Sequence, residues 1–359
     1  MFGVLLIFTC AAMGAAMQAD DDSATDTPVV QTKAGDTQSE APNDRVSVTH
    51  HTVTIDGEEI AYTATAGYMT LPDYEGKPRA DIFYVAYMRD DIGDDNPSAR
   101  PITFAYNGGP GSSSVWLHLG ALGPRRVDMG AEGFAPKPPY TLLPNDSSWI
   151  DFTDLVFIDP VSTGYSRPTE GEDPNQFHGL EEDISSVGDF IRLWTTKNER
   201  WLSPKFLAGE SYGTTRNAGI SSYLQSAHGM YLNGIIMIST VLNFETIRFG
   251  PGNDTPYWLF LPTYAATAWY HGVLDPELQA KSLPDFLAEV KEFSQGDYLH
   301  ALALGNTLGE DDRAAIAAQI SRYTGLSQKY VMQSNLRIHI SRFTKELLRD
   351  KNIIIGRLD

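Results

Sequence analysis

The sequence predicts an α/β protein built on a mostly parallel sheet, and three observations carry that prediction. "DLVFIDP" at 154–160 is a continuous apolar run, the pattern of a strand covered on both faces. Between residues 180 and 240, strand-like runs ("PKFLAGES", "LNGIIMIST") alternate with segments of helical period, and strand–helix–strand order implies parallel strands joined by right-handed crossovers. The run Phe206–Ala208 ends in "GESYG", a serine between two glycines where a strand should give way to a helix.

The elements follow in chain order. Residues 1–19 are almost all apolar or small and stop abruptly at "DDDS", which predicts an export signal cleaved after Ala16 or Ala19. No Lys or Arg precedes Lys33, so a basic start to that signal is missing, and the apolar run is short for a membrane span. Residues 20–45, rich in Asp, Thr, Ser and Pro and without aromatics, read as a disordered linker. From Val46, β-branched and polar residues alternate around Asp56-Gly57, a hairpin signal. "ADIFYVAYM" and "PITFAYNGGPG" read as further strands, grouped with the hairpin as antiparallel edge strands leading into the sheet.

A helix is expected from Leu180, with Ile184, Val187, Ile191 and Trp194 on one face, acids at its start and bases toward its end. A second helix follows Ser211 and closes at Gly229. After Asn243 the texture becomes aromatic and amphipathic-helical. The expected organisation is a core at 46–243, a helical insertion or cap at 244–350, and the start of the returning core at 351–359.

Ser211 is the first candidate for chemistry. On a strand–turn–helix elbow its hydroxyl would stand above the sheet, at a helix N-terminus whose free N–H groups favour developing negative charge. The competing reading is an ordinary helix N-cap serine. A second glycine-rich stretch, "YNGGPGSSSVWLHLGALGP" at 106–124, favours the nucleophile, because such a turn at a strand end can lend an N–H to an oxyanion hole.

With "NGGPGSSS" at 107–114, "IDPVSTGYS" at 158–166 and "GESYG" at 209–213 in this order, the chain resembles the serine carboxypeptidase family over about residues 80–243. The resemblance implies an α/β-hydrolase fold and an exported enzyme, periplasmic or secreted, that removes C-terminal residues from peptides. It implies Ser211 as the nucleophile and the Gly109 and Tyr212 N–H groups as the oxyanion hole. It assigns Asn107, Gly108 and Glu210 to the substrate's terminal carboxylate. The family usually adds a second glutamate before the closing Leu-Gly-Pro; here that position is Ala121, which puts an acid-pH preference and strict carboxypeptidase specificity in question. Ser112 replaces a cysteine that the family commonly engages in a disulfide.

A serine nucleophile needs a base and an orienting acid, in the chain order Ser, Asp, His for this fold. The histidines after Ser211 are His228, His271, His300 and His339, and none follows a late apolar strand in a glycine-containing loop. The expectation is that the final strands, with the Asp and His, come after Asp359, and that residues 1–359 alone are inert or nearly so. A non-catalytic peptide-binding protein and an acyltransferase or esterase of the same fold are the alternatives.

The net charge of −19 disfavours nucleic acid and anionic membranes as partners. Cys10, the single cysteine, lies in the leader, where Thr9 before it suits lipidation poorly; no disulfide or cysteine-held metal is expected in the mature chain. The acidic "RDDIGDDN" at 89–96 lacks EF-hand spacing and reads as a solvated loop. No cofactor or metal is expected, and peptides with a free C-terminus are the expected partners.

Overall fold

In a computed structural model, residues 46–90, 92, 96–130 and 133–356 are described; the expected leader and linker lie outside them. β1 (Ser47–Ile55) and β2 (Glu58–Pro72) pair antiparallel through a two-residue turn in which Asp56 and Gly57 both have positive φ. That is the twist-matched hairpin the D-G pair predicts. β3 (Pro78–Arg89) adds antiparallel to β2.

β4 (Ile102–Tyr106) differs from expectation. It is not an edge strand of the antiparallel group but runs through the middle of the sheet, parallel to β7 (Asp154–Ile158) and β9 (Lys205–Glu210). Every residue of β4 is buried, as a strand covered on both faces demands, although the buried Thr103 interrupts its apolar run. The small hairpin β5 (Arg125–Val127) with β6 (Leu142–Pro144) stands apart. The two-residue β8 (Arg167–Pro168) pairs β3. β10 (Gly234–Ile238) pairs parallel to β9, giving the order β1-β2-β3-β7-β4-β9-β10. Beyond β10 the described residues supply no further strand, and Ile235 is 38% exposed there.

The helices fall on both faces. α1 (Val115–Leu117) is a single turn after the glycine-rich stretch. α2 (Leu180–Lys197) buries Val187, Ile191 and Trp194, with Glu181, Glu182 and Asp183 in its first turn and Lys197 in its last, matching the helix dipole. α3 (Tyr212–His228) closes at Gly229 in the left-handed conformation. α2 and α3 share one apolar core with Phe104 and Tyr106 of β4, while Ala105 faces the other core with Leu117, Leu122 and Ile150. This alternation is the strand period of two.

From Thr255 the described chain is helical: α4 (Thr255–Tyr270), α5 (Pro276–Gln279), α6 (Leu283–Phe293), α7 (Leu299–Leu304), α8 (Glu310–Thr324), α9 (Gln328–Gln333) and α10 (Ile340–Glu346). They enclose a separate core around Tyr264, Phe286, Tyr298 and Phe343. The periodic stretch from Asn335 is helical only from Ile340, because Asn335 and Leu336 take positive φ. Residues 353–356 form no strand; Ile355 donates its N–H to Thr344 and packs on the helical core. The sheet and the helical segment belong to one compact unit, Asp44–Asp359. Among the described residues no helix is long and apolar enough to cross a membrane.

Candidate active site

β9 turns into α3 at Ser211, which has φ 56° and ψ −123°. For a non-glycine residue this is strained backbone, and such strain concentrates at functional positions. Surrounding bonds hold it: Ser211 N–H donates to Ile238 O on β10 at 2.9 Å, and Ser211 O accepts from Thr214 N at 2.9 Å and Thr214 Oγ1 at 2.7 Å. Thr214 Oγ1 in turn accepts from Val241 N at 2.9 Å, so the elbow is tied to the exit of β10. Ser211 stands at the N-cap position of α3 but makes no side-chain cap to it. Its hydroxyl is free for other chemistry, and the Tyr212 N–H, first in the helix, has no intrahelical acceptor.

The glycines of "GESYG" are required by close approach. A Cβ on Gly209 would lie 2.2 Å from Gly213 O, and one on Gly213 would lie 3.1 Å from Tyr106 O. The second glycine-rich turn is pressed on the elbow more tightly still. A Cβ on Gly108 would lie 2.4 Å from Tyr212 N, 2.6 Å from Glu210 O and 2.8 Å from Gly213 N. Gly109 follows with φ 107°, a conformation that L side chains rarely adopt.

Asn107, wholly buried, joins the two motifs. Its Nδ2 donates to Glu210 Oε2 at 3.1 Å, and its Oδ1 accepts from Leu117 N at 3.0 Å. The third motif braces the first: Asp159 Oδ1 accepts from Ser114 N at 2.9 Å, and burial raises the Asp159 pKa. Ala121 is exposed, and its carbonyl accepts from Asn145 Nδ2 at 2.8 Å. The structure thus brings Asn107, Gly108, Glu210, Ser211 and Tyr212 together, with Gly109 next in the turn.

Sequence reasoning missed Arg216 and Asp183. Arg216, five residues after Ser211 and 1% exposed, makes a two-bond pair with Asp183 of α2: Nε to Oδ2 at 2.8 Å and Nη2 to Oδ1 at 3.1 Å. Its Nη1 donates to Asn107 O at 2.8 Å, and its guanidinium carbon lies 5.1 Å from the Tyr106 and Tyr212 ring centres. Burial and the neighbouring Asp183 charge push the Tyr212 pKa up to about 12. Both residues border a pocket of about 330 Å³ that also touches Gly111, Tyr212 and His178. The available signal was an arginine at 216 four residues before Ile220 and eight before Leu224, on the face that α3 buries.

No hydrogen bond joins a described histidine to Ser211. His228, at the far end of α3, pairs with Asp189 at 2.9 Å, about 25 Å along the helix from Ser211. His339 caps α10, His271 lies against Tyr270, and His300 is exposed on α7. His178 is held 3.0 Å from Ser162 Oγ at the pocket rim.

Comparison with known proteins gives the site its context. The serine carboxypeptidase family model matches residues 55–340. The chain is 29% identical over 195 residues to serine carboxypeptidase-like 45 of Arabidopsis thaliana, covering 52% of this chain and 38% of that protein. It is 37% identical over 109 residues to the pheromone-processing carboxypeptidase kex1 of Talaromyces stipitatus, covering 30% of this chain and 15% of that protein. The chain therefore matches well under half the length of these relatives. Among solved structures it is similar to the prohormone-processing carboxypeptidase Kex1 of Saccharomyces cerevisiae, with a TM-score of 0.45, 19% identity and coverage of 81% and 64% of the two chains. The family match over most of the chain, joined to a mixed sheet and a strained serine elbow, shows that this α/β-hydrolase-fold chain belongs to the serine carboxypeptidase family.

Proposed function

We propose that the protein is a serine-type carboxypeptidase that releases C-terminal residues from peptides through an acyl-enzyme on Ser211. One observation carries this reading: the strained Ser211 elbow has a glycine turn packed directly on its first helical N–H groups. Ser211 Oγ attacks the scissile carbonyl carbon and gives its proton to a base. The carbonyl oxygen, now negative, is met by the Gly109 and Tyr212 N–H groups. Collapse of the intermediate expels the C-terminal amino acid, and water then cleaves the ester on Ser211. Asn107, Gly108 and Glu210 hold the terminal carboxylate, with Ala121 leaving Glu210 as the acid of that site.

The base and its orienting acid have no assigned residue among the described ones. Among the described residues β10 has no strand on its outer side, and Ile235 there is 38% exposed. The second reading, a peptide-binding protein without turnover, draws on the engagement of His228 and His339 away from Ser211. Export to the periplasm or medium is part of the proposal and rests on the apolar start of the sequence.

The test is release of the C-terminal residue from a synthetic peptide by the full-length natural protein, followed by mass spectrometry. Turnover should fall by more than about 10³-fold in Ser211→Ala. Turnover that survives this change overturns the proposal, and peptide binding without any turnover by wild type selects the second reading.

A further inference from the structure

We infer that the buried Asp183–Arg216 pair is a positioning device for the terminal-carboxylate site, aiming the Gly108 N–H and the Asn107 side chain at a peptide's free C-terminus. The inference rests on the carboxypeptidase reading above and adds residues that lie outside its three motifs.

Arg216 Nη1 holds the Asn107 carbonyl oxygen at 2.8 Å. The Asn107–Gly108 peptide is trans, since the cis bonds of the described chain are at Gly109–Pro110 and Pro138–Pro139. In a trans peptide the carbonyl and the following N–H point in opposite directions. Fixing the Asn107 oxygen on the Arg216 side therefore directs the Gly108 N–H away from it. The same residue's side chain is fixed between Leu117 N and Glu210 Oε2. Arg216 is fixed in its turn by two bonds to Asp183 and by the Tyr106 and Tyr212 rings, each 5.1 Å from its guanidinium carbon. One guanidinium thus sets the relation of β4, the glycine turn and α3.

Stability alone is a weak reason for such a pair. Replacing a buried ion pair by well-packed apolar groups is often neutral or stabilising. A planar guanidinium that makes three directed bonds does what an apolar filler cannot: it fixes the angle of a peptide plane.

The test needs binding and not turnover, so it uses the 359-residue chain itself. N-acetyl-Phe-Leu and its C-terminal amide are titrated separately, with NMR shifts giving both affinities and a melting curve taken for each variant. Wild type should prefer the free acid by about tenfold, as expected for bonds to a charged group. Asp183→Asn and Arg216→Met should bring that ratio below about twofold, and Arg216→Lys should restore part of it, since lysine keeps the charge but not the fork. A purely structural pair would lower the melting temperature and leave the acid-to-amide ratio at its wild-type value; that result overturns the inference. If Arg216→Met does not fold, Asp183→Asn and Arg216→Lys decide. A wild-type chain with no preference for the acid overturns the carboxylate-site reading, and the inference with it.

Discussion

Substituting Gly108 by alanine tests the contact on which the site depends. The added Cβ would stand 2.4 Å from Tyr212 N, 2.6 Å from Glu210 O and 2.8 Å from Gly213 N. Ordinary contact begins near 3.4 Å, so the turn and the elbow must separate by about 1 Å. All three opposing atoms are backbone, and no side chain can rotate to relieve them. Overpacking of this kind costs about 1–3 kcal/mol, and three simultaneous clashes place Gly108→Ala at the upper end. The chemical effect should be larger, because a displacement of about 1 Å in a reacting geometry can cost about 10²-fold in rate. Urea unfolding and the rate of fluorophosphonate labelling at Ser211 measure the two effects. Gly120→Ala is the comparator: its Cβ would meet nothing within 4 Å, and its stability should stay within about 0.5 kcal/mol of wild type. A Gly108→Ala protein with wild-type urea midpoint and labelling rate would refute the packing argument.

Other expectations follow from buried groups. Asp154 is 2% exposed and receives Arg200 Nη1 at 2.7 Å and Arg100 Nε at 2.9 Å; Asp154→Ala should cost about 3–5 kcal/mol in urea unfolding, by leaving the wholly buried Arg200 without its partner. Burial lowers the His118 pKa from 6.5 to about 4, so the folded state holds this imidazole neutral while the unfolded chain protonates it. The stability this gives is complete above about pH 6.5 and is lost as pH falls toward 4, so wild type should lose about 1–3 kcal/mol more than His118→Gln across that window. His178→Ala should change the labelling rate of Ser211 by less than about threefold, whereas removing a true base costs about 10²–10⁴-fold; a large loss would assign the base to His178.

What the sequence could disclose depended on whether the physics is local. The hairpin at Asp56-Gly57 and the end of α3 at Gly229 were legible because positive φ is written into the residue type. The elbow was legible because glycines at 209 and 213 are what close strand–helix packing demands. β4 was assigned to the wrong part of the sheet, because its order between β7 and β9 is set by contacts across more than fifty residues. Arg216 and Asp183 went unnoticed for the same reason, since thirty-three residues separate a pair that only the packing of α2 on α3 brings together. At Asn335 and Leu336 the apolar period continues while the backbone takes positive φ, so period alone overstated the last helix.

The central claim is that Ser211 is a nucleophile, and covalent labelling tests it most directly. The full-length natural protein is treated with a fluorophosphonate, digested, and the modified peptide sequenced by mass spectrometry. The account predicts a single adduct on the peptide containing "GESYG", absent from Ser211→Ala and slowed in Gly108→Ala. An adduct on another serine, or labelling that persists in a folded Ser211→Ala protein, would contradict it.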